Sequence, residues 1–324
     1  MHFTKKLVAA SAVIATAAGL SAAPAAAAEK VNYLLPAPAF LPAFAPWQLA
    51  AARGYYAEVG LEITFQTAKG GVDVAKQVGV GNAPIGGAIG DTSILVRPNG
   101  IPVRAVALMG GGSLVQVVAR EDRGISKVED LKGKTITVMS YQDTTFFAAQ
   151  GVLAARGLTR NDANIQAAGP QGIWQLLLEG KADAMMGVPD WIALVQSKGL
   201  KVKVFNAKDY FPSMAQAIVA SDDLIAKNPK LIKGLVAASL KGLKAILDDP
   251  VAAAKDYVKA VPRWTEPAML ATFKLFNQYT YSGQKTLGEM DEAKLASLQD
   301  FYLKAGFIKS KVPVKDLYTN QFVQ

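Results

Sequence analysis

Short apolar runs bounded by Gly, Pro or Asn punctuate the first third of this chain, and they predict strands at residues 31–35, 61–67, 84–89 and 103–108. Between them lie segments that read as helices, at 45–53 (ended by Gly54), 72–78 and 91–96. The prolines at 36, 38 and 42 mark a loop, and Lys69-Gly70-Gly71 marks a turn. The rhythm then starts again. Strands are predicted at 114–119, 135–139, 164–168, 182–187 and 202–206, alternating with helices at 144–156, 172–179 and 191–198. Alternation of this kind implies parallel sheets joined by right-handed crossovers. After one more strand at 215–220 the pattern turns helical, at 224–247, 250–261, 266–278 and 291–305. The fold class expected is α/β, as two doubly wound units followed by a helical region.

The N-terminus reads differently. His2, Lys5 and Lys6 give a basic start, residues 7–20 a short apolar run, and Ala26-Ala27-Ala28 a small-residue cleavage site. The apolar run falls short of the roughly 20 residues that span a bilayer. Residues 1–28 are therefore expected to be an export signal, leaving a mature chain from Glu29 to Gln324. Removing two lysines takes the formal charge from +9 to 9 − 2 = +7, and His2, the single histidine, goes with them. With no cysteine anywhere, a mature chain of this kind has no His base, no Cys nucleophile, no disulfide and no common zinc site. It also lacks the Cys on which a lipid anchor is built. The lysines at 227, 230, 233, 241 and 244 are spaced along helical stretches, so they read as solvated faces and not as a nucleic-acid stripe.

Two punctuated units carry a family resemblance. One is Arg53-Gly54-Tyr55-Tyr56-Ala57-Glu58-Val59-Gly60-Leu61 followed by Glu62-Ile63-Thr64-Phe65-Gln66; the other is Ile125-Ser126-Lys127-Val128-Glu129-Asp130-Leu131-Lys132-Gly133-Lys134-Thr135-Ile136. In this order, behind an export signal, the chain resembles the periplasmic solute-binding proteins of ABC importers, in the NMT1/THI5-like and SsuA-like group. That resemblance implies a type II periplasmic binding fold. Domain 1 would be discontinuous, 29–113 with 215–324, its helical C-terminal part packed on it, and domain 2 would be 114–214. Two crossings would form a hinge, and a solute would lie in the cleft between the sheets. The protein would be a monomer in the periplasm, serving an inner-membrane ABC permease. Pyrimidine synthases of the same group use a histidine and a cysteine-rich motif, and the mature chain departs from them there.

Other motifs fail on spacing. Gly133-Lys134-Thr135 would need a Gly where Val128 stands, and Gly79-Val80-Gly81 would need one where Pro84 stands. No Gly-x-Ser-x-Gly elbow is present. Neither a catalytic residue, a metal ligand nor a cofactor is expected.

Three aspartates sit where a strand hands over to a helix: Asp91, Asp143 and Asp190. Asp is a favoured helix N-cap, and it also repels the anion that a bare helix N-terminus attracts. No Arg or Lys joins them at these turns. If the turns line a cleft, they favour an amine or an aminopyrimidine over a sulfonate or nitrate, although Thr92, Thr144 and their hydroxyl neighbours suit an oxyanion. Phe40, Trp47, Tyr141 and Trp191 are placed to stack on a flat ring, and Gly70 and Gly110–Gly112 to let backbone approach it. The expected ligand is an aromatic nitrogen heterocycle of the thiamine-pyrimidine type. The alternatives are alkanesulfonate, taurine or nitrate, and a role beside a periplasmic sensor.

Overall fold

The computed structural model describes residues 27–323; the expected export signal lies outside these, apart from Ala27 and Ala28. The first unit alternates β1 (Glu29–Leu35), α1 (Ala45–Ala52), β2 (Leu61–Thr67), α2 (Gly71–Gly79), β3 (Ile85–Ile89), α3 (Thr92–Val96) and β4 (Val103–Leu108). The second alternates β5 (Gln116–Arg120), β6 (Thr135–Val138), α4 (Thr144–Ala154), β7 (Asn164–Ala167), α5 (Gly169–Leu178), β8 (Ala184–Gly187), α6 (Pro189–Ser197) and β9 (Val202–Phe205). The chain returns through β10 (Gln216–Ser221).

Two five-stranded sheets result, in the orders β2-β1-β3-β10-β4 and β7-β6-β8-β5-β9. Four strands of each are parallel, but β10 runs antiparallel to β3 and β4, and β5 antiparallel to β8 and β9. The expectation of purely parallel sheets is corrected on that point. The carboxyl ends of the parallel strands face the gap between the sheets. A strand arriving across that gap starts at the same end, so it must run the other way.

The two crossings pair with each other: the Met109 N–H donates to the Gln216 carbonyl at 2.7 Å, and the Leu114 N–H to that of Met214 at 3.1 Å. A π-helical turn, Asn277–Tyr281, straps the first crossing. The Gly112 N–H reaches the Thr280 carbonyl at 2.9 Å, and a Cβ at Gly112 would lie 2.0 Å from the Tyr279 oxygen. Gly110–Gly112 thus serve this close backbone approach and do not face the cleft cavity described below.

The helical region is α7 (Asp222–Lys227), α8 (Pro229–Asp248), α9 (Pro250–Ala260), α10 (Glu266–Phe276) and α11 (Glu292–Lys304). A single helix over 224–247 is not formed. The residue before a proline is pushed out of the helical region, so the chain breaks at Asn228, whose side chain accepts from the Leu231 N–H and caps α8. Helices α8 and α9 pack on α1, while α10 also touches α6. Phe211, on the way back from the second sheet, stacks on Tyr302 of α11 with centroids 5.7 Å apart.

Candidate functional site

The carboxyl ends of β1, β3, β6 and β8 meet around a cavity of about 50 Å³. Pro36 and Ala37 follow β1, Ile89 closes β3, Met139 follows β6 and Val188 follows β8, and all five line it. This is where ligands enter open α/β sheets. Two larger chambers adjoin it. One, of about 490 Å³, shares Pro36, Ala37 and Met139 and adds Lys69, Ser140, Tyr141 and Gln142. The other, of about 240 Å³, shares Leu41, Asp190 and Trp191 and adds Phe40, Trp174, Arg263 and Trp264.

Asp143, Thr144, Asp190 and Trp191 line the central cavity, as do Thr145 and Gln216. Asp143 caps α4: its Oδ1 accepts from the Thr145 N–H at 2.9 Å and from the Thr145 hydroxyl at 2.7 Å. Its Oδ2 accepts from the Gly71 N–H at 3.4 Å, across the gap between the sheets. Burial pushes its carboxyl up, and the Thr145 and Gly71 donors pull it back. Gly70 needs its left-handed φ of 113°, and a Cβ there would stand 3.1 Å from the Asp143 Cα.

Asp190 is 6% exposed, in the first turn of α6 after Pro189. Burial pushes its carboxyl up to about 7, offset in part by its own N–H and that of Trp191. No ion pair reaches it among the described residues, and its Oδ1 has no hydrogen-bond partner. Trp191 Nε1 and Gln216 Oε1 are also buried and unpartnered. Buried polar atoms are paired in the great majority of cases, and three of the unpartnered ones belong to residues of this cavity. Its lining includes neither Lys nor Arg.

The aromatic positions divide. Phe40 lines the 240 Å³ chamber, held by its carbonyl, which accepts from Tyr257 Oη at 3.1 Å and Trp264 Nε1 at 3.0 Å. The Arg263 guanidinium lies 3.7 Å from the centre of the Phe40 ring. Tyr141 is 52% exposed and lines the other chamber. Trp47 lines none of the three; it is fully buried against Tyr33, with centroids 6.1 Å apart. Asp91 and Thr92 are also placed away from them. Asp91 accepts from Tyr302 Oη at 2.7 Å, inside the packing of α11 on the first unit. Sequence reasoning missed Gln216, Trp174, Arg263 and Trp264. Two of these are among only four tryptophans, a signal in composition alone.

The family description NMT1/THI5-like matches residues 41–253. The chain belongs to that family. Among its relatives, the riboflavin-binding protein RibY of Chloroflexus aurantiacus is 29% identical, over 86% of this chain and 82% of its own length. A 4-amino-5-hydroxymethyl-2-methylpyrimidine phosphate synthase of Saccharomyces cerevisiae, THI12, is 23% identical over 72% of each chain. The alkanesulfonate-binding protein SsuA of Xanthomonas axonopodis pv. citri, solved with MOPS bound, superposes with a TM-score of 0.73 at 15% identity, covering 91% of this chain and all of its own. The fold is that of the periplasmic solute-binding proteins.

Proposed function

We propose that this protein is the periplasmic solute-binding component of an ABC importer and that its solute is a flat nitrogen heterocycle of the flavin or aminopyrimidine class. The observation that carries the reading is the unpartnered Asp190 Oδ1 and the unpartnered Trp191 Nε1, on consecutive residues that line a central cavity with no basic side chain. A heterocycle that carries both an N–H and a ring acceptor offers a partner to each kind of atom, and an unanswered buried polar group costs about 1–3 kcal/mol. The central cavity is too small for such a ring. The ring enters the chamber walled by Phe40, Trp174, Trp191, Trp264 and Arg263, whose guanidinium lies over the Phe40 ring, with its polar edge towards Asp190. The riboflavin-binding relative supports this class; a sulfonate held by Arg263 or Lys69 in the outer chambers would still meet two carboxylates and no cation at the central cavity.

The solute is bound and released unchanged. Its affinity for the closed form exceeds that for the open form, and this difference shifts the balance between them. The test is thermal unfolding of the purified protein with riboflavin, 4-amino-5-hydroxymethyl-2-methylpyrimidine, taurine, an alkanesulfonate and nitrate. A ligand at about 1,000 times its dissociation constant stabilises by roughly 4 kcal/mol, which raises Tm by about 8–16 °C. A shift with a heterocycle is expected. A shift confined to the sulfonates or nitrate overturns the reading.

A further inference from the structure

Helix α2 is preceded at its N-cap position by Gly70, which has no side chain to cap it. Its first amide, Gly71 N–H, is answered instead by Asp143, which belongs to the start of α4 in the other sheet's unit. One carboxylate therefore serves two helix N-termini that converge across the cleft, with all three of its donors at 2.7–3.4 Å. Asp143 is 4% exposed. Two converging helix ends are the arrangement that elsewhere draws a phosphate, sulfate or carboxylate of a ligand. Here the position is already filled by a carboxylate of the chain itself.

The fit around it is close. A Cβ on Gly71 would sit 3.4 Å from Thr144 Cγ2, and one on Gly70 would sit 3.2 Å from Asp143 Oδ2. The Thr145 hydroxyl that donates to Asp143 accepts in turn from the Met139 N–H at 2.9 Å, so the carboxylate is tied to the end of β6.

We propose that Asp143 is a built-in anion, which latches the two units together and determines specificity by barring anionic solutes from the point where α2 and α4 converge. It rests on the reading of this cleft as the solute site. When the units separate, the Gly71 bond breaks while the two Thr145 bonds persist, so the latch stays preorganised on α4. An uncharged ring beside Asp190 leaves it undisturbed, and a sulfonate competes with it for the same donors.

The test is Asp143→Ser. Serine still caps α4 but is too short to bridge to Gly71 and carries no charge. Asp73→Ser is the control: Asp73 also lies in the first turn of α2, where its carboxylate accepts from the Lys69 N–H, and its loss leaves the bridge intact. Small-angle scattering of the ligand-free proteins should give a larger radius of gyration for Asp143→Ser than for wild type and Asp73→Ser. Calorimetry with methanesulfonate should show binding by Asp143→Ser roughly tenfold or more tighter than by wild type.

The proposal is overturned if Asp143→Ser scatters as wild type does, or if it binds methanesulfonate no better. It is also overturned if Asp73→Ser gains as much, since net charge alone would then account for the effect. The scattering comparison does not depend on which solute is native. Failure of every heterocycle to bind wild type would count against the proposed function and leave this comparison standing.

Discussion

Asp91, Asp143 and Asp190 look alike in sequence, each at a strand-to-helix turn, yet each meets different physics. Asp143 has three donors, which offset the burial that pushes its carboxyl up. Asp91 has burial pushing its carboxyl up to about 6 against the Tyr302 hydroxyl, which comes from 211 residues along the chain. Asp190 has burial and little else, so its carboxyl stands at about 7. The cap reading of Asp143 was legible because a cap bonds within its own turn. The fate of the other two was not, because Tyr302 and the walls around Asp190 arrive from distant segments. A carboxyl with a raised folded-state pKa binds its proton more tightly folded than unfolded, so stability falls as pH rises from about 4 to about 7 and levels off above that. Asp190→Asn removes this loss. The mutant should match wild type near pH 4 and exceed it at pH 8 by a few kcal/mol at most, measured by urea unfolding at both values. Equal midpoints at pH 8 would show that Asp190 is solvated or paired.

Most helices and strands were readable, since Gly breaks, prolines and apolar runs act over a few residues. The strands at 61–67 and 103–108 form over those residues. Local signals missed what depends on a neighbour: the antiparallel course of β5 and β10, the break at Asn228 and the π turn after α10. Helix α8 supplies an example. Gly242 lies inside it, where Gly→Ala normally stabilises by roughly 0.5–1 kcal/mol. Here a Cβ would lie 2.0 Å from the Pro46 carbonyl oxygen and 3.1 Å from the Ala50 nitrogen, both backbone atoms of the α1 region. Gly242→Ala is therefore expected to destabilise by about 1–3 kcal/mol, the usual cost of overpacking. A raised urea midpoint would mean that α8 and α1 are less closely packed than they stand here.

At the scale of the whole molecule, the proposed function rests on two sheets joined by paired crossings and strapped by the turn at Asn277–Tyr281. Forcing that strap away from the first crossing should loosen the hinge. Gly112→Ala, with its Cβ 2.0 Å from the Tyr279 oxygen, is expected to lower Tm and to weaken binding of whichever heterocycle stabilises wild type. An unchanged affinity with a lowered Tm would confine the strap to stability. The sequence by itself determined the α/β alternation, the repeat of the unit and the chemistry it lacks, because these depend on local periodicity and on residue types that are present or absent. Tertiary structure alone decided which of the candidate residues share a cavity. The Gly71–Asp143 bond spans 72 residues and the contact of Trp264 with Phe40 spans 224. Such contacts arise only when packing closes those loops, and no local pattern encodes them.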